Sequence, residues 1–107
     1  MSLETRVWGS KSTPNLFTTI PVAVRRQLHI SADDQVAWRL EGSFAEVRRH
    51  TGEPSTNGKD GYTVYKQARS NSLYTAIPVA VIEQLRLRAR DRAAWELHGD
   101  KAHLRRG

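Results

Sequence analysis

Basic side chains in two polar segments are the residues of this sequence best suited to binding chemistry. Lys11 and Arg69 lie in segments predicted to form turns, and Lys66 precedes the second segment. A lysine or arginine on a turn contacts phosphate oxygens with little base specificity, and arginine also reaches the edges of guanine. Asn15 and Asn71 add amides to the same segments, where turn formation is an equally good reason for asparagine. These residues predict contact with a polyanion.

The charge of the chain agrees with this prediction. The 107 residues carry 17 basic and 11 acidic groups, which gives a net charge of +6. Residues 1–50 carry 7 basic and 5 acidic groups (+2), residues 51–61 carry 1 and 2 (−1), and residues 62–107 carry 9 and 4 (+5). A small basic domain is a candidate for nucleic-acid binding, although a merely solubilising cationic surface has the same net charge.

The sequence has no pattern typical of catalysis or of a metal site. Its four histidines lack helical i,i+4 spacing and the chain has no cysteine, so only His98 and His103, which flank one predicted hairpin, form a pair of interest. Asp33 and Asp34 are adjacent acids, but Asp34 and its counterpart Asp91 are expected to accept hydrogen bonds from turn N–H groups. No glycine-rich phosphate loop or nucleophile elbow is present. We therefore predict no enzyme activity, no cofactor and no metal.

One motif occurs twice in the chain, at a spacing of 57 residues. Residues 7–50 align without a gap on residues 64–107, with 19 identities in 44 positions. Two copies are too few for a solenoid, so we expect the halves to pair about a pseudo-twofold axis. A stretch rich in Gly, Pro, Ser and Thr separates them and is typical of a linker. We predict a single domain with a first repeat (1–50), a linker (51–61) and a second repeat (62–107).

Each repeat shows the pattern strand, turn, strand, short helix, strand, hairpin, strand. Leu16, Thr18 and Ile20 fall on one face of a period-two run, which indicates a strand with one buried face, and the second repeat has the same run at Leu73, Thr75 and Ile77. The fold class predicted is mostly β, with short helices and two ββαββ repeats that interlock in one barrel. The other predicted strands lie near Arg6–Gly9, 36–40, 44–49, Thr63–Lys66, 93–97 and 101–106.

A proline and an apolar stripe predict the helix of the first repeat. Pro21 suits the first position of a helix that ends near Leu28, and the second repeat has the equivalent residues. Val24 and Leu28 lie four residues apart and are expected to point inward, whereas Arg25 and Arg26 face water.

The two equivalent tryptophans and the N-terminal residues complete the sequence predictions. Trp38 and Trp95 are in phase with apolar neighbours, so both are expected in the core rather than in a base-stacking role.

The N-terminal residues lack the pattern of a signal peptide, and no run approaches the ~20 apolar residues of a membrane span. A soluble cytoplasmic protein without membrane partners is therefore expected.

The order of these features resembles a known family. A strand ending in Ile-Pro, a short helix with Arg-Arg in its second turn, an Asp beyond its end and then a β-hairpin is similar to the AbrB/SpoVT/MazE family of swapped-hairpin DNA-binding domains. The most specific stretches are LFTTIPVAVRRQLHISADDQVAWRL and SLYTAIPVAVIEQLRLRARDRAAWEL. Family members are mostly homodimers whose halves exchange hairpins to form one barrel. This chain resembles a fused version of two AbrB-like repeats.

The chain departs from the family in the turn after the helix. The family usually has Gly-Asp there, whereas this chain has Asp33-Asp34 and Arg90-Asp91. If the first residue of each pair has a positive φ, aspartate tolerates that conformation better than arginine does.

Two further departures affect the surface that the resemblance implies for DNA. Phe17 and Tyr74 replace the arginine that is common just before the Ile-Pro strand. The helix pair Arg25-Arg26 corresponds to Ile82 and Glu83 in the second repeat. The two halves are therefore expected to contribute unequally to DNA binding.

The resemblance implies a transcriptional regulator that binds double-stranded DNA. In the family, the first strand, the turn after it and the start of the helix lie on the DNA face. Two other classes stay open: an antitoxin or protein-interaction module of the same fold, which binds a toxin or further copies of itself, and a small-molecule or metal sensor. The implied DNA-binding residues are Lys11, Asn15, Arg25, Arg26, Lys66, Arg69 and Asn71.

Overall fold

The computed structural model describes residues 3–9, 15–50 and 62–107. The predicted linker 51–61 and the turn residue Lys11 lie outside the described residues. Within them, the elements in chain order are β1 (Leu3–Gly9), β2 (Leu16–Ile20), α1 (Val22–Leu28), β3 (Gln35–Glu41), β4 (Phe44–Arg49), β5 (Tyr62–Lys66), β6 (Leu73–Ile77), α2 (Val79–Leu85), β7 (Arg92–His98) and β8 (Lys101–Arg106).

The strands of the described residues form one closed antiparallel barrel, in the order β1-β2-β6-β5-β3-β4-β8-β7. The two halves are interleaved, because β1 pairs with β7 of the second half and β5 pairs with β3 of the first. Strands β2 and β6 pair across the halves, as do β4 and β8. This confirms the prediction of a mostly β fold in which strands of both repeats are hydrogen-bonded to each other.

The order of strands in the barrel shows its pseudo-twofold symmetry. Replacing each strand by its repeat equivalent leaves the order of neighbours unchanged. In the β2–β6 pair, Thr18 lies directly opposite its own equivalent, Thr75. In the β4–β8 pair, Glu46 lies opposite its own equivalent, His103. The axis therefore leaves the barrel through the β2–β6 side at one end and through the β4–β8 side at the other.

One row of core residues at the β2–β6 side of the barrel crosses four strands. Val7, Thr18, Thr75 and Val64 are paired in that order across β1, β2, β6 and β5, and each has 0% exposure. A buried hydroxyl needs a hydrogen-bond partner. The Thr75 hydroxyl donates to the carbonyl oxygen of Thr63 at 3.0 Å, and the Thr18 hydroxyl contacts a second hydroxyl in β1 at 2.8 Å.

The helices are two turns long and depend on tertiary contacts. Val24 and Leu28 are buried, as predicted, and Arg26 is exposed, but Arg25 is half-buried rather than fully in water. Pro21 caps α1 from just outside, one position earlier than predicted, and its carbonyl accepts the N–H of Arg25 at 3.0 Å.

Each helix is also held by the opposite half. The Gln27 side-chain amide in α1 donates to the carbonyl of Gly99 in the β7–β8 turn at 3.0 Å. Its equivalent, Gln84 in α2, donates to the carbonyl of Gly42 in the β3–β4 turn at 3.1 Å. The exchange of hairpins between the halves therefore positions both helices.

The two equivalent tryptophans differ in burial: Trp95 lies in the core, as predicted, and Trp38 packs against the core without being fully buried. Trp95 has 0% exposure, and its indole N–H donates to the hydroxyl of Thr5 at 2.8 Å. Trp38 is half-buried, and its indole nitrogen has no partner among the described residues. The missing partner is explained by the residue equivalent to Thr5, which is Tyr62 and has no hydroxyl at the same distance from the backbone.

The turns after the helices have the geometry for which the family uses glycine. Asp33 and Arg90 have φ values of 71° and 77°. Asp34 accepts a hydrogen bond from the N–H of Ser31 at 2.8 Å, which confirms its predicted role. Asp91 does the same at 2.8 Å for the backbone of Arg88.

We find no helix in the described ranges with the length and apolar character that crossing a membrane requires.

Candidate nucleic-acid interface

Four of the predicted DNA-binding residues meet in one surface groove. Arg25 and Arg26 project from α1, and Lys66 and Asn71 face them from the end of β5 and the β5–β6 turn. The groove has a volume of 670 Å³ and is also lined by His29. We call Arg25, Arg26, His29, Lys66 and Asn71 the cationic groove. Because α1 and the turn belong to different repeats, the interleaved fold creates this site.

Arg25 is the fixed element of the cationic groove. One of its terminal nitrogens donates to the backbone carbonyl of Asn71 at 2.6 Å. A guanidinium has five N–H donors in a rigid plane, and this bond uses one of them. The bond therefore orients the group, holds the β5–β6 turn against α1 and uses only one of the five donors.

The cations of the groove differ from several other basic side chains in having no ion-pair partner among the described residues. Arg39 and Arg48 pair with Glu41 and Glu46 at 2.8 and 3.9 Å, and Arg92 lies 3.7 Å from Glu4. Among the residues that the structure describes, no carboxylate lies within 4.0 Å of any cation of the groove. Its positive charge is therefore not neutralised by an ion pair with those residues.

The remaining predicted residues are dispersed. Arg69 lies on the β5–β6 turn and is exposed, but it lines a second groove on the other side of that turn. Asn15 is exposed just before β2 and lines neither groove of the described surface. Lys11 lies outside the described residues. The β5–β6 turn is thus a ridge with a groove on each side.

The repeat-equivalent surface of the second helix has different chemistry. Ile82 and Glu83 take the places of Arg25 and Arg26, and Ile82 packs against the hydrophobic core. Gly9 takes the place of Lys66, and a Cβ atom there would lie 3.3 Å from the Leu16 side chain. The second helix thus lacks the arginine pair and the lysine, and the basic residues of this side, Arg86, Arg88 and Arg90, lie beyond the end of the helix, so the cations are arranged differently on the two sides.

The second groove contains residues that the sequence analysis did not select. Trp8, Phe17, Tyr65 and Tyr74 line it together with Arg69 and adjoining turn residues. We call these four residues the aromatic cluster. The 57-residue spacing could have revealed them, because it relates Trp8 to Tyr65 and Phe17 to Tyr74.

The β4–β8 side of the barrel has a mixed charge. Glu46 is almost fully buried there and pairs with Lys101 at 3.3 Å. The rings of His98 and His103 lie 4.1 Å apart, so the structure brings the predicted histidine pair together. Burial first, and then the charge of His98, lower the pKa of His103 below its usual 6.5. Within the described ranges no group of three or more potential ligands could hold a metal ion.

No family model, characterised protein or solved structure matches this chain.

Proposed function

We propose that this protein is a transcriptional regulator that binds double-stranded DNA, as its resemblance to the AbrB/SpoVT/MazE family implies. The observation that carries the proposal is the cationic groove, in which side chains from two repeats present positive charge with no described carboxylate within 4.0 Å of them. Phosphate contacts supply most of the affinity of such an interface, and base contacts supply its specificity.

The position of each cation suits a different role. Arg25 is oriented by its bond to the Asn71 carbonyl, so it binds a phosphate without first losing much side-chain freedom. Arg26 and Lys66 are exposed and add less directional charge. Arg69, on the ridge beside the groove, is placed to reach the next phosphate or a guanine edge.

Because the second helix lacks the arginine pair of the first, the proposed interface includes only the first helix. Glu83 occupies the position of Arg26 and repels a phosphate. We expect DNA to lie against the cationic groove and the β5–β6 ridge rather than symmetrically across both helices.

Charge removal at the groove tests this proposal. The double variant Arg25→Ala/Arg26→Ala is expected to weaken binding of a labelled duplex at least ~10-fold, measured by fluorescence anisotropy, and to reduce the salt slope by about 1 for each lost phosphate contact. Arg26→Ala alone keeps the bond from Arg25 to the turn and is expected to give a smaller loss. Glu83→Lys is expected to strengthen binding.

The matched control removes the same charge elsewhere. Arg39→Ala/Arg48→Ala takes two exposed arginines from β3 and β4, where both already pair with glutamates. We expect less than a ~3-fold change, because only the long-range field is altered. Equal losses for the two double variants, or weaker binding by Glu83→Lys, would show that the helix surfaces do not face DNA.

An antitoxin or protein-interaction module is the second candidate, and exposed apolar residues favour it. Val22 and Val79 begin the two helices at equivalent positions and are 48% and 60% exposed. Isolated exposed valines are common, but a symmetric pair suits a partner surface. A chain that binds no duplex at low salt but self-associates in sedimentation equilibrium, and loses this on Val22→Ser/Val79→Ser, would support this candidate over the first.

A further inference from the structure

The aromatic cluster lies on the outer surface of the barrel, at the β2–β6 side. Trp8 is paired directly with Phe17 across β1 and β2, and Tyr65 is paired with Tyr74 across β5 and β6. Their inward neighbours along the strands, among them Val7 and Val64, fill the core. Because successive strand residues point to opposite faces, the four aromatic rings lie outside.

The four rings are in mutual contact. The ring centroid of Tyr74 lies 5.6 Å from Trp8, 6.0 Å from Phe17 and 5.5 Å from Tyr65. Trp8 and Phe17 are stacked at 6.2 Å with an interplanar angle of 26°. Such pairs order one another, so the cluster is a preformed surface rather than four independent side chains. Tyr65 is the most exposed of them, at 44%.

The groove beside this cluster is large enough for flat ligands. Its volume is 720 Å³, and its remaining lining consists of the turn residues Gln67, Ala68 and Arg69. The lining therefore combines aromatic faces, an amide and a cation, without a carboxylate. Across the ridge, on the next residue after Tyr65, Lys66 belongs to the cationic groove.

This combination favours nucleobases over a second copy of the chain. A symmetric dimer through the β2–β6 side would bring Arg69 and the cationic groove of one copy toward those of the other, and each chain carries a net charge of +6. A nucleotide strand instead offers planar rings for the aromatic faces and phosphates for the cations. Bases within a duplex are already stacked on both sides, whereas unpaired bases have free faces.

We propose that the aromatic cluster binds unpaired bases of a single-stranded nucleic acid, with Tyr65 as the stacking platform. The sugar–phosphate backbone crosses the ridge at Arg69 and reaches Arg25 and Lys66. This goes beyond the proposed binding of duplex DNA and shares only its cationic groove. A regulator with such a face binds a melted or single-stranded segment as well as a duplex.

Single-residue variants at the platform test the proposal. Labelled oligothymidylate and oligouridylate of about 12 nucleotides, and a duplex of the same length, are titrated with wild-type protein, Tyr65→Ala and Tyr65→Phe. Stacking on one side chain contributes about 1–3 kcal/mol per base, so Tyr65→Ala is expected to weaken single-strand binding by ~5-fold or more. Tyr65→Phe keeps the ring and is expected to stay within ~2-fold, and the duplex affinity is expected to change less than ~2-fold in both variants.

The outcomes separate this proposal from the previous one. A ~5-fold or larger loss for either single strand supports it. If the wild type binds the single strand but not the duplex, the stacking site stands and the proposed function fails. If it binds the duplex but neither single strand, the stacking proposal is overturned and the proposed function stands.

Two further results would overturn the stacking site. The first is an equal loss of duplex and single-strand affinity in Tyr65→Ala, with unchanged thermal unfolding, because it would assign Tyr65 to a general role in the interface. The second is wild-type self-association in analytical ultracentrifugation that Tyr65→Ala abolishes, because it would make the cluster an interface between copies.

Discussion

Replacing Trp95 and Trp38 by alanine, one at a time, compares the same residue type at equivalent positions of the two halves. Trp95 has no exposed surface, and its indole N–H bonds to Thr5. A buried tryptophan removes roughly 200 Å² from water, which is worth about 5 kcal/mol at ~25 cal/mol per Å². The alanine side chain keeps a small part of this buried area, so Trp95→Ala is expected to lower the free energy of unfolding by about 4 kcal/mol, which is within the usual range for such changes.

Trp38 is only half-buried, so its loss is smaller. We expect Trp38→Ala to cost about 2 kcal/mol, because less surface is buried and the change also removes a buried indole N–H that has no partner among the described residues. The assay is urea unfolding followed by circular dichroism, with the midpoint and the slope fitted separately. In a domain of this size ~1 kcal/mol corresponds to about 4 °C in Tm, so thermal unfolding separates the two variants by roughly 8 °C.

Thr5 provides an independent check of the same site. Thr5→Val keeps the shape of the side chain but removes the acceptor of the Trp95 indole and the partner of the Thr18 hydroxyl. Buried groups left unpaired cost about 1–3 kcal/mol. Equal losses for Trp38→Ala and Trp95→Ala, or a loss below ~1 kcal/mol for Trp95→Ala, would refute the asymmetric core described here.

Further predictions concern backbone geometry and pH. Arg90 has a φ of 77°, so Arg90→Gly is expected to raise the free energy of unfolding by up to about 1 kcal/mol, measured by urea unfolding. Gly42 has a φ of 62° and open space at its Cβ position, so Gly42→Ala is expected to lose about 1 kcal/mol through strain alone. The pKa of His103 is lower in the folded chain than its usual 6.5, so this residue's contribution to stability is complete above pH 6.5 and is lost as the pH falls below it. Thermal unfolding between pH 5 and 8 is expected to show this loss, and His103→Gln is expected to reduce it, whereas an unchanged pH profile in that variant would contradict the assignment.

The repeat made most of the fold predictable from sequence. Because Thr18 and its equivalent Thr75 are identical, the sequence indicates that both lie in the same buried environment. The period-two pattern around these residues predicts the strands. The β1 strand begins at Leu3, earlier than predicted: Glu4 and Arg6 alternate with more buried neighbours in a short period-two run, and these residues pair with β7 of the other half. Long-range pairing of this kind is not encoded in local pattern.

The candidate site was predictable in part. Charge and turn chemistry selected Lys66 and Arg69, and the family resemblance selected Arg25, but only the folded chain shows that Arg25 and Lys66 share a groove while Arg69 lies across the ridge. The aromatic cluster was missed because Trp8 and Tyr65 differ in type at equivalent positions, and the identities drew attention to the inward face. Outward positions vary between the copies, and it is there that the two halves differ in chemistry.

The salt dependence of duplex binding by the wild-type protein tests the proposed function most directly. The cationic groove and the ridge offer four cations, Arg25, Arg26, Lys66 and Arg69. Because each neutralised phosphate contributes about −0.9 to the slope of log K against log salt, engaging most of them predicts a slope of roughly −2 to −4. We expect this slope for the wild-type protein and a smaller slope for Arg25→Ala/Arg26→Ala. No binding at ~50 mM salt, or the same slope in that variant as in the wild type, would contradict it.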